Sequence, residues 1–205
     1  MKKLIAVLAL LTSFSVVATD AVAKKQHIDI SGTIGVGSDY IFRGVSNNNG
    51  NPAAFATIAI SPEGYSLADN FEVGAFVSHV YYDDDASYEY DFYAQYGFEL
   101  TNDIDVLAGI KQVNYNAVYP ETEEWYVGMT LANSVRAIYY KDRDTQVETG
   151  EVYFLLPIPT KTKFEIYYID PTDYHGLNIS RDLGAYTLLT SIGSEDSMVS
   201  IHYNF

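Results

Sequence analysis

Residues 87–100 read SYEYDFYAQYGFEL. Tyr88, Tyr90, Phe92, Ala94, Tyr96, Phe98 and Leu100 fall on every second position, and six of the seven intervening residues are polar or small. A period of two places the two sets on opposite faces of a strand, one apolar and one hydrated. Residues 28–43 alternate as persistently: Ile28, Ile30, Ile34, Val36, Tyr40 and Phe42 share one parity, Asp29, Ser31, Thr33, Asp39 and Arg43 the other. Turn formers divide the chain into further segments, predicting strands at about 52–60, 71–82, 87–100, 104–115, 123–132, 135–142, 149–158, 162–170, 174–181, 185–193 and 197–205. With the first, that makes twelve strands, ten being the alternative count.

Period two alone does not separate a soluble sandwich or lipocalin-like barrel from a barrel whose apolar face meets lipid. Three features favour lipid. Segments of ten or more residues recur, enough for a tilted membrane strand. Aromatic residues crowd strand ends (Tyr40 and Phe42, Tyr81 and Tyr82, Tyr139 and Tyr140, Tyr167 and Tyr168), as in an interfacial girdle. The polar faces carry charge along their length. If the first strand runs outward, the turns at 101–103, 132–134 and 181–184 lie inside and the longer, mostly acidic loops outside; 61–70 breaks that rule by being long and inner. The expected fold is an all-β, closed antiparallel transmembrane barrel, which leaves no unpaired edge in lipid.

The first 23 residues stand apart. Lys2 and Lys3, an apolar run from Leu4 to about Ala18, and Ala21-Val22-Ala23 describe a cleaved secretory signal, leaving 24–205 as one barrel domain. The mature chain then has 10 basic and 26 acidic side chains, a net charge of −16. Nucleic acid is excluded as a partner, because a polyanion is repelled. The chain has no cysteine, so neither disulfides nor thiolate metal sites hold it together. After the leader no apolar run is long enough for a membrane helix.

In 197–205, Val199, Ile201, Tyr203 and Phe205 share a face. This resembles the C-terminal strand of bacterial outer-membrane proteins, where that pattern is an insertion signal for the barrel assembly machinery. The stretch GSDYIFRGVSNNNGNPA at 37–53 is more specific. Its Ser38, Asp39, Tyr40, Phe42, Arg43, Gly44, Pro52 and Ala53 resemble the opening signature of the TorF family of porins, with EEWYVGMTL at 123–131 as a second patch. The resemblance implies a bacterial outer-membrane barrel and a pore.

The wet faces supply candidate pore-lining groups: Asp29, Ser31, Thr33, Asp39 and Arg43 from the first strand; Glu89, Asp91, Gln95 and Glu99 from the fourth; Lys111 and Lys163 from the fifth and ninth. If water fills the interior, the acidic excess favours cations; if the side chains pair across a narrow lumen, the interior is plugged. On one strand Asp39 and Arg43 would stand about 13 Å apart, too far to pair, so each is expected to pair with a charge on a neighbouring strand, with Arg43 a girdle or loop anchor ahead of a substrate contact. His27, His79, His175 and His202 lack metal-ligand spacing, and no cofactor is expected. Ser200 and His202 share a face, as in outer-membrane lipases and acyltransferases, without a placed acid. Asp83, Asp84 and Asp85 form an acidic loop whose carboxylates suit a hard cation such as calcium, but the glycine and closing Glu of an EF-type loop are absent, which favours a solvated loop that meets the ions bridging lipopolysaccharide. The function expected is a non-enzymatic porin passing small solutes or ions with cation preference. The alternatives are a closed-lumen structural or surface-interaction barrel and, behind it, a hydrolase or acyltransferase.

Overall fold

The computed structural model describes residues 26–64, 70–82, 85–116, 121–158 and 160–205, with backbone alone for Tyr82, Asp85 and Ala86. Residues 1–23, expected as a leader, and Asp83, Asp84 and the side chain of Asp85 lie outside the described residues. The strands are β1 (His27–Gly37), β2 (Ile41–Phe42), β3 (Val45–Ser46), β4 (Ala53–Glu63), β5 (Phe71–Tyr82), β6 (Asp85–Thr101), β7 (Ile104–Tyr115), β8 (Thr122–Leu131), β9 (Val135–Asp142), β10 (Glu148–Leu155), β11 (Thr162–Asp170), β12 (Tyr174–Leu183), β13 (Tyr186–Gly193) and β14 (Ser197–Asn204). Twelve of them close into one antiparallel barrel in which neighbours in sequence are neighbours in space and β14 returns to β1; β2 and β3 form a separate hairpin.

Register decides which face turns in. At the closing seam Gly35 pairs with His202 and Gly37 with Ser200, while Val36 meets Ile201 and Ile34 meets Tyr203. The small and polar pairs share the interior and the apolar pairs the exterior, because a shift of one residue would invert every strand. Exposure follows suit: Leu100 is 61%, Ile34 57% and Ile30 56% accessible, whereas Glu89 is 0% and Asp91 4%. Val199, Ile201, Tyr203 and Phe205 all face out, and Phe205 extends the seam through paired backbone bonds with Gly32 at 3.0 and 3.1 Å.

Two expectations change. β1 ends at Gly37; the alternation through 38–43 belongs to a loop and the β2–β3 hairpin, not to a longer first strand. The aromatic residues at strand ends also divide between the faces: Trp125 and Tyr139 pack together at 5.7 Å on the outer side, but Tyr140 packs at a tilt on Tyr126 at 5.5 Å and Tyr167 bonds Ser191 across β12. Tyr140 and Tyr167 are therefore interior residues rather than girdle.

Several interior tyrosines lie flat over a glycine on the adjacent strand. The hydroxyl end of the Tyr174 ring covers Gly193, where an added Cβ would stand 1.8 Å from its oxygen, and the base of the ring abuts Gly44. Its hydroxyl donates to the Asp196 carbonyl at 3.0 Å. Gly193→Ala should displace this ring, lose that bond and lower barrel stability by about 1–3 kcal/mol, the usual cost of overpacking. Thermal unfolding in detergent, followed by circular dichroism, checks it.

Candidate functional site: a loop folded into the barrel

Residues 38–52 join β1 to β4 and turn inward. Their path is set locally. Asp39, 3% exposed, accepts the Tyr40 N–H at 2.7 Å and the Ser46 hydroxyl at 3.0 Å, which fixes the descent of the chain. Ile41 pairs with Ser46 and Phe42 with Val45, so Arg43-Gly44 are the two central residues of a tight hairpin. Both have positive φ, 50° and 83°, as a type I′ turn requires, and glycine is the residue that adopts this conformation without steric cost. Gly44 is also held against the Tyr174 ring, where a Cβ would sit 2.1 Å from the ring carbon.

The hairpin places Arg43 against the far wall. Its Nη1 and Nη2 donate to the two oxygens of Glu124 on β8 at 2.5 and 2.9 Å, and Nε donates to Glu151 on β10 at 3.2 Å. The guanidinium lies 4.0 Å from the Tyr140 ring centroid and 4.7 Å from that of Phe42. Planar fork, two-oxygen acceptor and flanking ring faces match guanidinium chemistry in full. Burial disfavours the charge on Arg43, but the bonds to Glu124 and the fields of Glu124 and Glu151 outweigh it, holding the group above its ordinary range. On the near side Tyr40 donates to Glu89 at 2.8 Å and Asn47 does so at 3.3 Å. Lys111 stands 3.7 Å from both Asp91 and Glu124 and 4.5 Å from the centre of the Phe42 ring. Ile41 packs on Tyr167, Ile169 and Tyr174. The loop thus touches side chains from β6 to β12 and crosses the lumen.

Beneath it the interior opens. A cavity of about 490 Å³ is lined by Glu72, Gln95, Glu99, Asp105 and Thr130, among others. Gln95 is anchored by Glu72 at 2.9 Å and by the Tyr126 hydroxyl at 2.9 Å. Towards the same end Arg136 reaches Glu165 at 3.6 Å and Lys163 reaches Asp182 at 3.5 Å.

Of the residues expected from the sequence, Glu89, Asp91, Lys111 and Arg43 come together at the loop, and Gln95 and Glu99 line the cavity. Asp29 and Ser31, opposite Ser61 and Ala59, turn inward along β1, as does Thr33, bonded to Asn204 at 3.1 Å; Lys163 sits at the turn-bearing end. Asp39 is corrected in position: it lies off β1, and its carboxylate accepts from Tyr40 and Ser46 of its own loop. Arg43 is corrected in position, since it sits on a hairpin turn and not on a strand face, and its partners Glu124 and Glu151 lie across the barrel rather than on a neighbouring strand. Glu124 and Glu151 escaped sequence reasoning, although the parity of TEEWYVGMTL sets Glu124, Tyr126, Gly128 and Thr130 opposite Trp125, Val127, Met129 and Leu131. Ser200 and His202 do bond, at 2.8 Å, but among the described residues no carboxylate pairs with that imidazole.

Comparison with known proteins agrees with this architecture. The chain is similar to the KdgM porin at 11% identity and a TM-score of 0.58, over 85% of this chain and 99% of that one. A second structure of that porin is described as a complex with disordered oligogalacturonate. The chain is also similar to the outer membrane protein Omp33 of Acinetobacter baumannii, at 11% identity and a TM-score of 0.50, over 87% and 96% of the two chains. At such identities the likeness is one of fold: a closed twelve-stranded barrel. Among curated proteins none matches. A family model does match, across residues 21–200, and the chain belongs to the family described as a bacterial protein of unknown function, Gcw_chp.

Proposed function

We propose that this chain is an outer-membrane channel for small solutes, cation-favouring, with residues 38–52 as its constriction. The observation that carries this reading is the inversion of the wall: an apolar exterior suited to lipid around an interior in which Glu72, Glu89, Asp91, Glu99, Asp105, Glu124, Glu151, Glu165 and Asp182 face the strand cations Lys111, Arg136 and Lys163. Acid-rich walls concentrate cations and repel anions. The TorF porin resemblance on Ser38-Asp39-Tyr40 and Arg43-Gly44 supports the same reading, and those residues are the ones that build the inward hairpin. The lining is then Glu89, Asp91, Gln95, Glu99, Lys111 and Lys163, with Asp29, Ser31 and Thr33 on β1 and Arg43 at the narrowing. The outer face, with its Val199, Ile201, Tyr203 and Phe205, meets membrane lipid and lipopolysaccharide after insertion by the assembly machinery.

The reach of the loop supports a second reading, a barrel whose lumen stays shut. Purified protein in planar bilayers under asymmetric potassium chloride separates the two. Discrete current steps with a reversal potential of the cation-selective sign are expected; silence at all voltages and salts would favour the shut barrel.

A further inference from the structure

The cradle that holds Arg43 is built as a receptor, and the loop fills it with a side chain that resembles what a receptor of this kind would bind. Glu124 offers both oxygens, Glu151 a third, and Tyr140 a ring face. All of these belong to the barrel wall, not to the loop. Beside them lies a group the loop leaves unmatched: Asp91 is 4% exposed, and its Oδ1 is buried with no hydrogen-bond partner among the described residues. Its other oxygen shares Lys111 with Glu124. The wall here presents Asp91, Glu124 and Glu151 around Lys111, with Glu89, which holds Tyr40 and Asn47 of the loop, beside them. Arg43 pairs with Glu124 and Glu151 and leaves Asp91 to Lys111. No group of three or more His, Cys, Asp or Glu among the described residues is arranged to hold a metal ion, and carboxylate acceptors beside the Tyr140 ring face suit a planar organic cation.

We infer that Asp91, Glu124, Glu151 and Tyr140 form the solute site of the channel, that its ligand is a guanidinium-bearing organic cation with a second positive group, and that Arg43 is a tethered occupant of it. This rests on the channel reading and names the solute class of that same passage. The guanidinium of the solute takes the place of Arg43 on Glu124 and Glu151, and its second positive end offers a donor to the free oxygen of Asp91. Because Arg43 is tethered, its effective concentration at the site is high. A free cation then binds in proportion to the fraction of time the hairpin is withdrawn. The loop is thereby a self-occupied gate.

The test uses agmatine, a dication with a guanidinium at one end and an ammonium at the other, and measures binding apart from conduction. Arg43→Ala protein in detergent should show an agmatine-dependent rise in unfolding temperature, saturable and larger than with butylammonium or sodium chloride at equal ionic strength. Wild type should show a weaker rise, and Arg43→Ala with Glu124→Gln should show none. Arg43→Gln, which keeps a polar side chain on the turn, serves as the second variant. An equal response to agmatine and butylammonium, or no response in whichever variant folds, overturns the inference; failure of both variants to fold makes Arg43 structural and overturns it too. The same proteins in planar bilayers keep the two readings apart. Agmatine binding without current upholds the site and removes the channel, whereas current without agmatine binding upholds the channel and removes this site.

Discussion

Replacing residues 38–52 by an Asn-Gly turn should raise single-channel conductance several-fold and leave the barrel folded. The ends of the segment permit it: Gly37 and Ala53 are cross-strand partners, so a two-residue type I′ connection closes the hairpin without altering register. None of the twelve barrel strands lies within the deleted segment. What is lost is the hairpin that spans the lumen between Glu89 and the pair Glu124 and Glu151, together with the Asn47 carbonyl that caps Tyr81 at 2.9 Å and the two bonds between Ser38 and Val199 at 2.8 and 3.0 Å. Removal also unmasks Glu124 and Glu151, whose side chains are 9% and 7% exposed beneath the loop, and those carboxylates then face the water of the passage. Cation preference should rise with conductance. Bilayer recordings of the two proteins, with a cold gel-shift assay to confirm folding, decide the matter. An unchanged conductance in a folded variant would show that the narrowing lies elsewhere.

Much of this barrel was legible in its sequence. Strands such as β5, β7, β9 and β11 occupy the spans that alternation alone predicts, because a barrel wall that is apolar on one face and polar on the other imposes period two on nearly every residue. Alternation misleads at one place for a physical reason. Ser38 to Arg43 continue the parity of β1, yet the carboxylate of Asp39 captures its own chain at Tyr40 and Ser46, and Arg43-Gly44 demands positive φ. Both are local turn chemistry that a count of polar and apolar positions does not register. The partners of Arg43 were hidden for a different reason. Glu124 and Glu151 lie 81 and 108 residues away in sequence, and contact with them depends on how far a loop dips into a closed cylinder. Nothing in the local pattern states that depth. The wall side of the contact was open to inspection, since Glu124 sits on the wet parity of a strand whose other face is Trp125, Val127, Met129 and Leu131.

The charge preference of the passage should reverse on Glu99→Lys with Asp105→Lys. These two residues stand opposite each other across the β6–β7 ladder, both exposed and both lining the cavity under the loop. Like charges directly opposite one another are a destabilising arrangement in a sheet, and nothing in the packing of this wall calls for it. A pair of lysines reproduces the same repulsion, so the exchange leaves the stability of the barrel near that of wild type while changing the local charge from −2 to +2. Buried acids are unsuited to the experiment. Glu89 holds Tyr40 and Asn47, and a lysine there would break the loop contact along with the field. At the cavity the charges act through water, within a Debye length of about 8 Å at physiological salt and about 3 Å at 1 M. The reversal potential in a potassium chloride gradient should therefore change sign at low ionic strength and move back towards zero as salt rises. A variant that conducts, folds and keeps the wild-type sign at low salt would show that the wall beneath the loop does not select, and would leave Glu124, Glu151 and Asp91 as the groups that do.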